Sequence, residues 1–305
     1  MGTVSERDGD RFGIPQREED RSRAPEGKEA GAWFPNGAKP RLWTEKFASM
    51  SHGRTRYWEA GTGDPTILLH GAGWNSGCES WAATIGPLSE RLRVLAMDSL
   101  NWGLGDVLDQ EFSFAYLVDH VREFMDVLGI ESANVVGHSM GGWLLALLCY
   151  ESPNRVRRAV NVAGGGTAAR PLQQMVSFKV PQPDDIRAAL ARVPVPHTSE
   201  LAETFIRKRD LPGHAEAFAA VMRHMTDPRT RQRYNTRRRL PFIRVPTLVI
   251  WGSEDQVNTW QEVGQPTVAG IPGAQHLLYE GIGHAVPWEA PERFCSDVLA
   301  FLTAS

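Results

Sequence analysis

The chain has 305 residues, 42% of them hydrophobic and 23% charged, and its formal net charge is −3. This composition is typical of a globular protein with a sizeable core, and it provides no basic excess for binding nucleic acid or an anionic membrane. The three cysteines, Cys78, Cys149 and Cys295, form no C-x-x-C pair. We therefore expect small buried residues rather than a disulfide framework or a zinc site, which fits a reducing, cytoplasmic location.

Residues 1–40 are rich in Arg, Glu, Asp, Gly and Pro, and they lack the apolar stretch of roughly 7–15 residues found in a signal peptide. Such a segment cannot bury enough apolar surface to offset its loss of conformational entropy, so we expect a disordered or loosely packed tail. Nowhere in the chain is there a run of about 18 apolar residues, and the sequence predicts no membrane-spanning helix.

Beyond the tail, short apolar runs alternate with segments of helical periodicity. Strands are predicted at 55–59, 66–70, 93–97, 133–137, 156–163, 246–251 and 275–279, and helices at 112–129, 141–151 and 291–303. Strands that alternate with helices form a mostly parallel sheet covered on both faces. Ligands bind at the carboxyl ends of such strands. We therefore assign 41–163 and 244–305 to one α/β core and expect a site at that edge.

Between residues 164 and 243 the alternation stops, and the sequence predicts helices only. A helix is expected at 184–193, Ser199 is a candidate cap for the next helix, and Pro212 is a candidate start for a third. The segment leaves the core just past the carboxyl end of one strand. We therefore expect 164–243 to be an inserted helical lid over the site, and the alternative is a second domain with no role there.

The sequence Gly-His-Ser-Met-Gly at positions 137–141 follows a predicted strand and precedes an apolar helix. In that setting, G-x-S-x-G is typical of a sharp turn that exposes a nucleophilic serine, and its glycines relieve crowding around the turn. The sequence therefore predicts that Ser139 is a nucleophile. The neighbouring His138 is expected to be a packing residue of the turn.

A serine nucleophile needs a base to take its proton, and the base needs a third group to hold its tautomer. Asp255 follows the predicted strand at 246–251, and His284 follows the one at 275–279 in a Gly-Ile-Gly-His sequence. We predict that Asp255 is the acid and His284 the base. Glu254, which is adjacent, is the alternative acid.

An attacked carbonyl group also needs hydrogen-bond donors for the negative charge that develops on its oxygen. One donor is expected from the backbone amide of Met140, the residue after the nucleophile. The other is expected from Ala72, in the glycine-flanked turn after the strand at 66–70, where Gly71 is expected to contact the substrate. This chemistry needs no metal or cofactor, and we predict none.

Together these motifs resemble those of the α/β-hydrolase superfamily, in which the triad also follows the chain order serine, acid, histidine. The segments that carry the resemblance are His70-Gly71, Asp98 with the glycine-containing loop after it, the Ser139 turn, Gly252-x-x-Asp255 and Gly283-His284. The resemblance runs from about residue 41 to the C-terminus and implies an α/β-hydrolase fold. The chain looks most like the lidded branch that includes esterases and the meta-cleavage-product hydrolases, which cleave carbon–carbon bonds.

Three positions depart from the carbon–carbon hydrolases. Those enzymes typically have Asn before the nucleophile, Trp after the base, and a lid Arg followed by an aromatic residue that holds a 2-oxo acid. At the matching positions this chain has His138, Ala285, and Thr204 before Phe205.

Several residues near these motifs are candidates for substrate contact. Arg207 and Arg209 are candidates to replace the missing lid cation, whereas the basic run 229–239 is expected to be a solvated helix face or loop. The side chains in or beside the site loops predict an apolar or aromatic pocket, and these are Trp74, Trp102, Met140 and Trp288. Phe205, in the lid segment, is a further candidate for substrate contact.

We expect hydrolysis of a carboxylic ester, lactone or thioester of a small substrate through an acyl-Ser139 intermediate. Hydrolytic carbon–carbon cleavage of a vinylogous diketone is the alternative. A non-hydrolytic lyase or cyclase is a second alternative, because a fold does not fix a function. The sequence leaves open whether the chain forms a homodimer.

Overall fold

The computed structural model describes residues 42–108, 113–171, 173–176, 179–191 and 198–304. The tail predicted at 1–40 lies outside these residues. Among the helices that are described, none has both the length and the apolar character needed to cross a membrane. The three cysteines are buried and unbridged, and this confirms the prediction that they are small residues of the interior.

Eight strands form one sheet in the order β1-β2-β4-β3-β5-β6-β7-β8. The strands are β1 Thr44–Met50, β2 Gly53–Ala60, β3 Pro65–Leu69, β4 Arg93–Met97, β5 Ala133–His138, β6 Val156–Val162, β7 Thr247–Gly252 and β8 Gln275–Tyr279. β2 is antiparallel to β1 and β4, whereas the pairs from β4 across to β8 are parallel. The central strands are apolar and buried along their length because helices cover both faces of the sheet.

Helices connect the parallel strands. In the described residues they are α1 Ile85–Ser89, α2 Phe114–Val127, α3 Met140–Glu151, α4 Gln173–Val176, α5 Pro183–Leu190, α6 Thr198–Asp210, α7 His214–Thr226, α8 Pro228–Tyr234, α9 Gln265–Gly270, α10 Val286–Glu289 and α11 Pro291–Leu302. α3 is apolar on all sides and lies almost wholly in the interior. α4 to α8 form a helical insertion between β6 and β7, the region in which the sequence predicts helices only.

The sequence misses or misplaces a few elements. β1 was not predicted, because it is an edge strand on which only Ala48 and Met50 are buried and its alternation is weak. α6 begins at Thr198, so Ser199 lies inside the helix and does not cap it. α7 is preceded by Gly213 in a left-handed conformation and begins after Pro212, which is therefore not its first residue.

A buried ion cluster fixes the loop that follows β4. Asp98 accepts a hydrogen bond from Arg56 Nε at 2.7 Å, and Arg56 also pairs with Glu79 at 2.8 Å. Burial opposes the ionisation of Asp98, but the Arg56 guanidinium holds the pKa of this carboxyl below its usual value. The amide of Ser99, the next residue, donates to His70 Nε2 at 2.9 Å. The cluster is thus connected to the turn that carries Ala72.

Candidate active site

Ser139 lies in the sharp turn between β5 and α3. Its backbone angles are φ 54° and ψ −109°, a conformation that non-glycine residues rarely adopt. The Ser139 amide donates to the carbonyl oxygen of Val162 at 2.9 Å, which ties the turn to the end of β6. The strained backbone therefore holds the serine at the carboxyl edge of the sheet, where β5 ends.

The glycines around Ser139 are required by close backbone contacts. A Cβ on Gly141 would overlap the carbonyl oxygen of Leu69 in β3, and a Cβ on Gly137 would overlap the carbonyl oxygen of Gly141. Neither obstacle is a flexible side chain that can move away. The turn can therefore pack against β3 only when both positions lack a side chain.

Ser139, His284 and Asp255 form a continuous hydrogen-bonded chain. His284 Nε2 lies 3.0 Å from Ser139 Oγ, and His284 Nδ1 lies 2.7 Å from Asp255 Oδ2. With the proton on Nδ1, the ring donates to the carboxylate and leaves Nε2 free to accept the serine proton. The three residues predicted from separate strand ends are thus linked by hydrogen bonds through the His284 ring.

The Asp255 carboxylate is fixed from its other side. Asp255 Oδ1 accepts hydrogen bonds from the amides of Val257 and Asn258 at 2.7 and 2.8 Å, and the side chain is buried. Glu254, the alternative acid, is exposed to solvent. The geometry therefore favours Asp255 over Glu254 as the partner of His284.

Two further side chains position the loop of His284. Glu289 accepts hydrogen bonds from the amides of Gly283 and Ala285 at 2.8 and 2.9 Å, one on each side of the histidine. The Nε2–H of His138 donates to the carbonyl oxygen of His284 at 2.9 Å. Burial lowers the pKa of His138 to about 3, so its ring is neutral at pH 7. His138 thus packs in the turn as expected and also supports the backbone of the predicted base.

The predicted oxyanion donors lie beside Ser139. Ala72 follows β3, and Met140 is the first residue of α3, where an amide has no partner within the helix. Both residues line the same cavity as Ser139, and Gly71 lies so close that an added Cβ would be 3.4 Å from Ser139 Cβ. The positive end of the α3 dipole adds to the attraction for a negative charge at this position.

A cavity opens beside Ser139. Its wall contains Ala72, Met140, Trp143, Gly165, Arg170, Met175, Met225, Arg231, Val257 and Asn258. The methionines and the tryptophan provide an apolar surface, and the two arginines provide positive charge. A second cavity is lined by residues that include His138, Ala285 and Trp288, on the His284 side of the turn.

The aromatic residues proposed as a pocket have several different placements. Trp288 lines the second cavity. Trp74 and Trp102 are buried and pack edge-on against Phe218 of α7, with ring centroids 5.1 and 5.5 Å apart. Phe205 is fully buried in α6. Trp74, Trp102 and Phe205 therefore join the insertion to the core, and none of them is on the wall of the Ser139 cavity.

The two candidate lid cations are not on the wall of the Ser139 cavity. Arg207 is exposed on α6, and Arg209 binds Gln182 and Asp210. The described cations on the wall are Arg170 and Arg231. Arg231 belongs to the basic run expected to be solvated, yet its side chain is buried. The sequence contains no signal for this, because α8 carries no apolar stripe that would show which face turns inward.

Within the described residues, no group of three or more His, Cys, Asp or Glu side chains is arranged to hold a metal ion.

A model of the alpha/beta hydrolase fold family matches residues 64–291. The chain belongs to this family.

Among the relatives of this α/β-hydrolase is an uncharacterised protein from Mycobacterium tuberculosis, 27% identical over 85% of this chain and 81% of the relative. A 2-hydroxy-6-oxononadienedioate/2-hydroxy-6-oxononatrienedioate hydrolase from Paraburkholderia phymatum is 31% identical over 85% of this chain and 96% of the relative. The crystal structure of a variant of CumD, a meta-cleavage product hydrolase from Pseudomonas fluorescens, has a TM-score of 0.73 and 28% identity. That similarity covers 85% of this α/β-hydrolase and 98% of CumD.

Proposed function

We propose that this α/β-hydrolase cleaves an acyl bond through a covalent acyl-Ser139 intermediate. The observation that carries the proposal is the hydrogen-bonded chain from Ser139 Oγ through His284 to Asp255. In the first step, Ser139 Oγ attacks the substrate carbonyl carbon and its proton passes to His284 Nε2. The resulting imidazolium is stabilised by the buried Asp255 carboxylate.

The negative oxygen of the tetrahedral intermediate accepts hydrogen bonds from the amides of Ala72 and Met140, each contributing roughly 3–4 kcal/mol to the transition state. The bond to the leaving group then breaks, and the leaving group takes the electron pair and the proton from His284. Water next gives a proton to His284 and attacks the acyl carbon. Ser139 regains its proton as the carboxylic acid product is released.

The cavity and the relatives indicate the class of substrate. The methionine and tryptophan side chains on the wall of the Ser139 cavity fit a small apolar chain, and the arginines on that wall fit a carboxylate. The relative from Paraburkholderia phymatum is named for dioate substrates, which carry two carboxylates. We therefore propose that the bond cleaved is the carbon–carbon bond beside the 6-oxo group of a 2-hydroxy-6-oxo-dienoic acid, so that the conjugated part of the substrate leaves as a carbon acid.

Ester hydrolysis is the second candidate. Thr204 stands where the resemblance implies a lid cation, and Phe205 after it is fully buried. His138 and Ala285 replace the Asn and Trp typical of the carbon–carbon hydrolases. An ester needs less activation than a carbon–carbon bond because an alkoxide is a better leaving group than a carbanion, so these departures favour an ester substrate.

Labelling with a fluorophosphonate tests the nucleophile. The wild type should be labelled at Ser139, identified by peptide mass, and Ser139→Ala should not be labelled. Ser49→Ala, at an exposed serine of β1, is the matched control and should label like the wild type. Equal labelling of Ser139→Ala and the wild type would refute the proposed nucleophile.

A substrate comparison tests the bond. A panel of p-nitrophenyl esters and a 2-hydroxy-6-oxo-dienoate should be assayed side by side with the wild type and Ser139→Ala. A higher kcat/KM on the dienoate supports carbon–carbon cleavage, whereas turnover of the esters alone supports the second candidate. Turnover that persists in Ser139→Ala would contradict both.

A further inference from the structure

Arg231, on α8, is a buried cation on the wall of the Ser139 cavity. Its side chain is 6% exposed, and its Nη atoms make long hydrogen bonds of 3.3 and 3.4 Å to the carbonyl oxygens of Met225 and Ala168. Its Nε has no hydrogen-bond partner. In the part of the chain that the structure describes, no carboxylate pairs with it. Arg231 is therefore held in place by the insertion without being neutralised by it.

A buried charge with no counter-ion is unfavourable, because it has lost water and gained little in exchange. Burial lowers the pKa of Arg231 to about 10, so the guanidinium is still charged at pH 7. The Cζ atom of Arg231 lies 5.0 Å from the ring centroid of Trp143, and this cation–π contact offsets part of the free-energy cost of burying the charge. An anion that reached Nε would satisfy the remaining donor and neutralise the charge.

Arg231 also lines an outer groove. Arg237 and Arg238 line that groove, and their guanidinium groups donate to backbone carbonyl oxygens rather than to carboxylates. The groove is therefore electropositive. Arg231 lies on the walls of both the groove and the Ser139 cavity, so an anion drawn to the groove meets this guanidinium next.

The position of His284 shows which part of the substrate Arg231 would contact. His284 must reach the leaving group to protonate it, but among the described residues it is not on the wall of the Arg231 cavity. The oxyanion residues Ala72 and Met140 are on that wall together with Ser139. The cavity therefore suits the acyl part of the substrate.

We infer that Arg231 binds a carboxylate at the distal end of the acyl chain, so that the protein selects acyl groups derived from dicarboxylic acids. The basic groove is the route by which this anion arrives. The inference rests on the proposed acyl-Ser139 mechanism, and it adds the residue that selects the acyl group.

A matched pair of substrates tests the inference. p-Nitrophenyl hemiglutarate and p-nitrophenyl valerate have the same leaving group and the same chain length, and they differ only in a terminal carboxylate or methyl group. The ratio of their kcat/KM values should be measured for the wild type, Arg231→Met, Arg231→Lys and Arg233→Gln. Arg233 is exposed on the same helix and lines neither cavity, so Arg233→Gln is the control.

The wild type should prefer the hemiglutarate, and Arg231→Met should lower the ratio about 10- to 100-fold, the range for losing a hydrogen bond to a charged group. Arg231→Lys should keep part of the preference, and Arg233→Gln should keep all of it. Added salt should lower kcat/KM for the hemiglutarate more than for the valerate, because it screens the groove. The ratio is taken within each variant, so partial unfolding does not affect it.

An unchanged ratio in Arg231→Met, or no preference in the wild type, would overturn the inference. If the wild type turns over neither ester, the same comparison is made by protection of Ser139 from fluorophosphonate, using monomethyl glutarate and methyl valerate as the probes. Stronger protection by the glutarate that is lost in Arg231→Met supports the inference, and equal protection refutes it. No labelling of Ser139 at all would instead refute the proposed function, and the inference with it.

Discussion

Replacing Lys208 by methionine is expected to stabilise the protein at neutral and acidic pH. Lys208 lies on α6 with no exposed surface, and its Nζ is 4.2 and 4.9 Å from the ring centroids of Trp74 and Phe218. The Lys208 ammonium donates to the carbonyl oxygen of Trp74 across a long distance of 3.4 Å. Burial lowers the pKa of Lys208 to about 7, although Asp98 and Glu79 nearby favour the charged form.

The magnitude follows from the two pKa values. An unfolded chain keeps the lysine proton up to its ordinary pKa of 10.5, whereas the folded chain releases it near pH 7. Between these values the unfolded state binds more protons, so stability rises with pH and is lost as pH falls towards 7. Raising the pH from about 6 to about 9.5 should therefore increase the free energy of unfolding of the wild type by about 3 kcal/mol through Lys208, at about 1.4 kcal/mol per pKa unit.

Methionine has a similar length and no charge, so it should fill the space with little packing cost. Urea unfolding should be measured at both pH values for the wild type and Lys208→Met. The gain in the free energy of unfolding of the variant over the wild type should be about 3 kcal/mol larger at the lower pH than at the higher one. Arg207→Met changes the exposed neighbour on the same helix and is the control. If Lys208→Met and the wild type have the same pH dependence, the lysine does not lose its charge on folding and the reasoning fails.

Gly141→Ala should abolish activity and soluble expression together, because its Cβ would overlap the carbonyl oxygen of Leu69; a variant with normal kcat would contradict this. Asp255→Asn should keep the fold but lower kcat by about 10⁴, measured on any turned-over ester, because an amide cannot hold the required His284 tautomer. Arg56→Met should lower the free energy of unfolding by about 3–5 kcal/mol in urea, because it leaves two buried carboxylates without their cation.

The residues of the hydrogen-bonded chain could be predicted because each depends on local sequence. Ser139 is marked by glycines that its turn requires, and Asp255 and His284 follow apolar strands whose ends are visible in the sequence. Parallel strands bring their carboxyl ends to one edge, so three local predictions specify one site. The length of chain between them does not matter to this argument.

The walls of the cavity could not be predicted in the same way. Whether Arg231 or Arg233 turns inward depends on how α8 packs against the core. The sequence of α8 has no apolar residues at helical spacing that would indicate which of its faces is buried. Arg207 and Lys208 illustrate the same difficulty on α6, since one is exposed and the other fully buried. Charge alone does not indicate which side of a helix is buried, so the sequence could not distinguish Arg207 from Lys208.

The two buried cations of the insertion have different surroundings, and this separates their roles. Lys208 lies between two aromatic rings, and burial lowers its pKa to about 7 despite the nearby Asp98 and Glu79, so its charge is only weakly retained at neutral pH. Arg231 has one aromatic contact and, among the described residues, no acid, and it lines the cavity of Ser139. Only the second charge is available to a ligand. In the proposed mechanism the core provides the reacting groups and the insertion provides the charge that selects the acyl group, so exchanging α8 should change substrate preference without changing the chemistry.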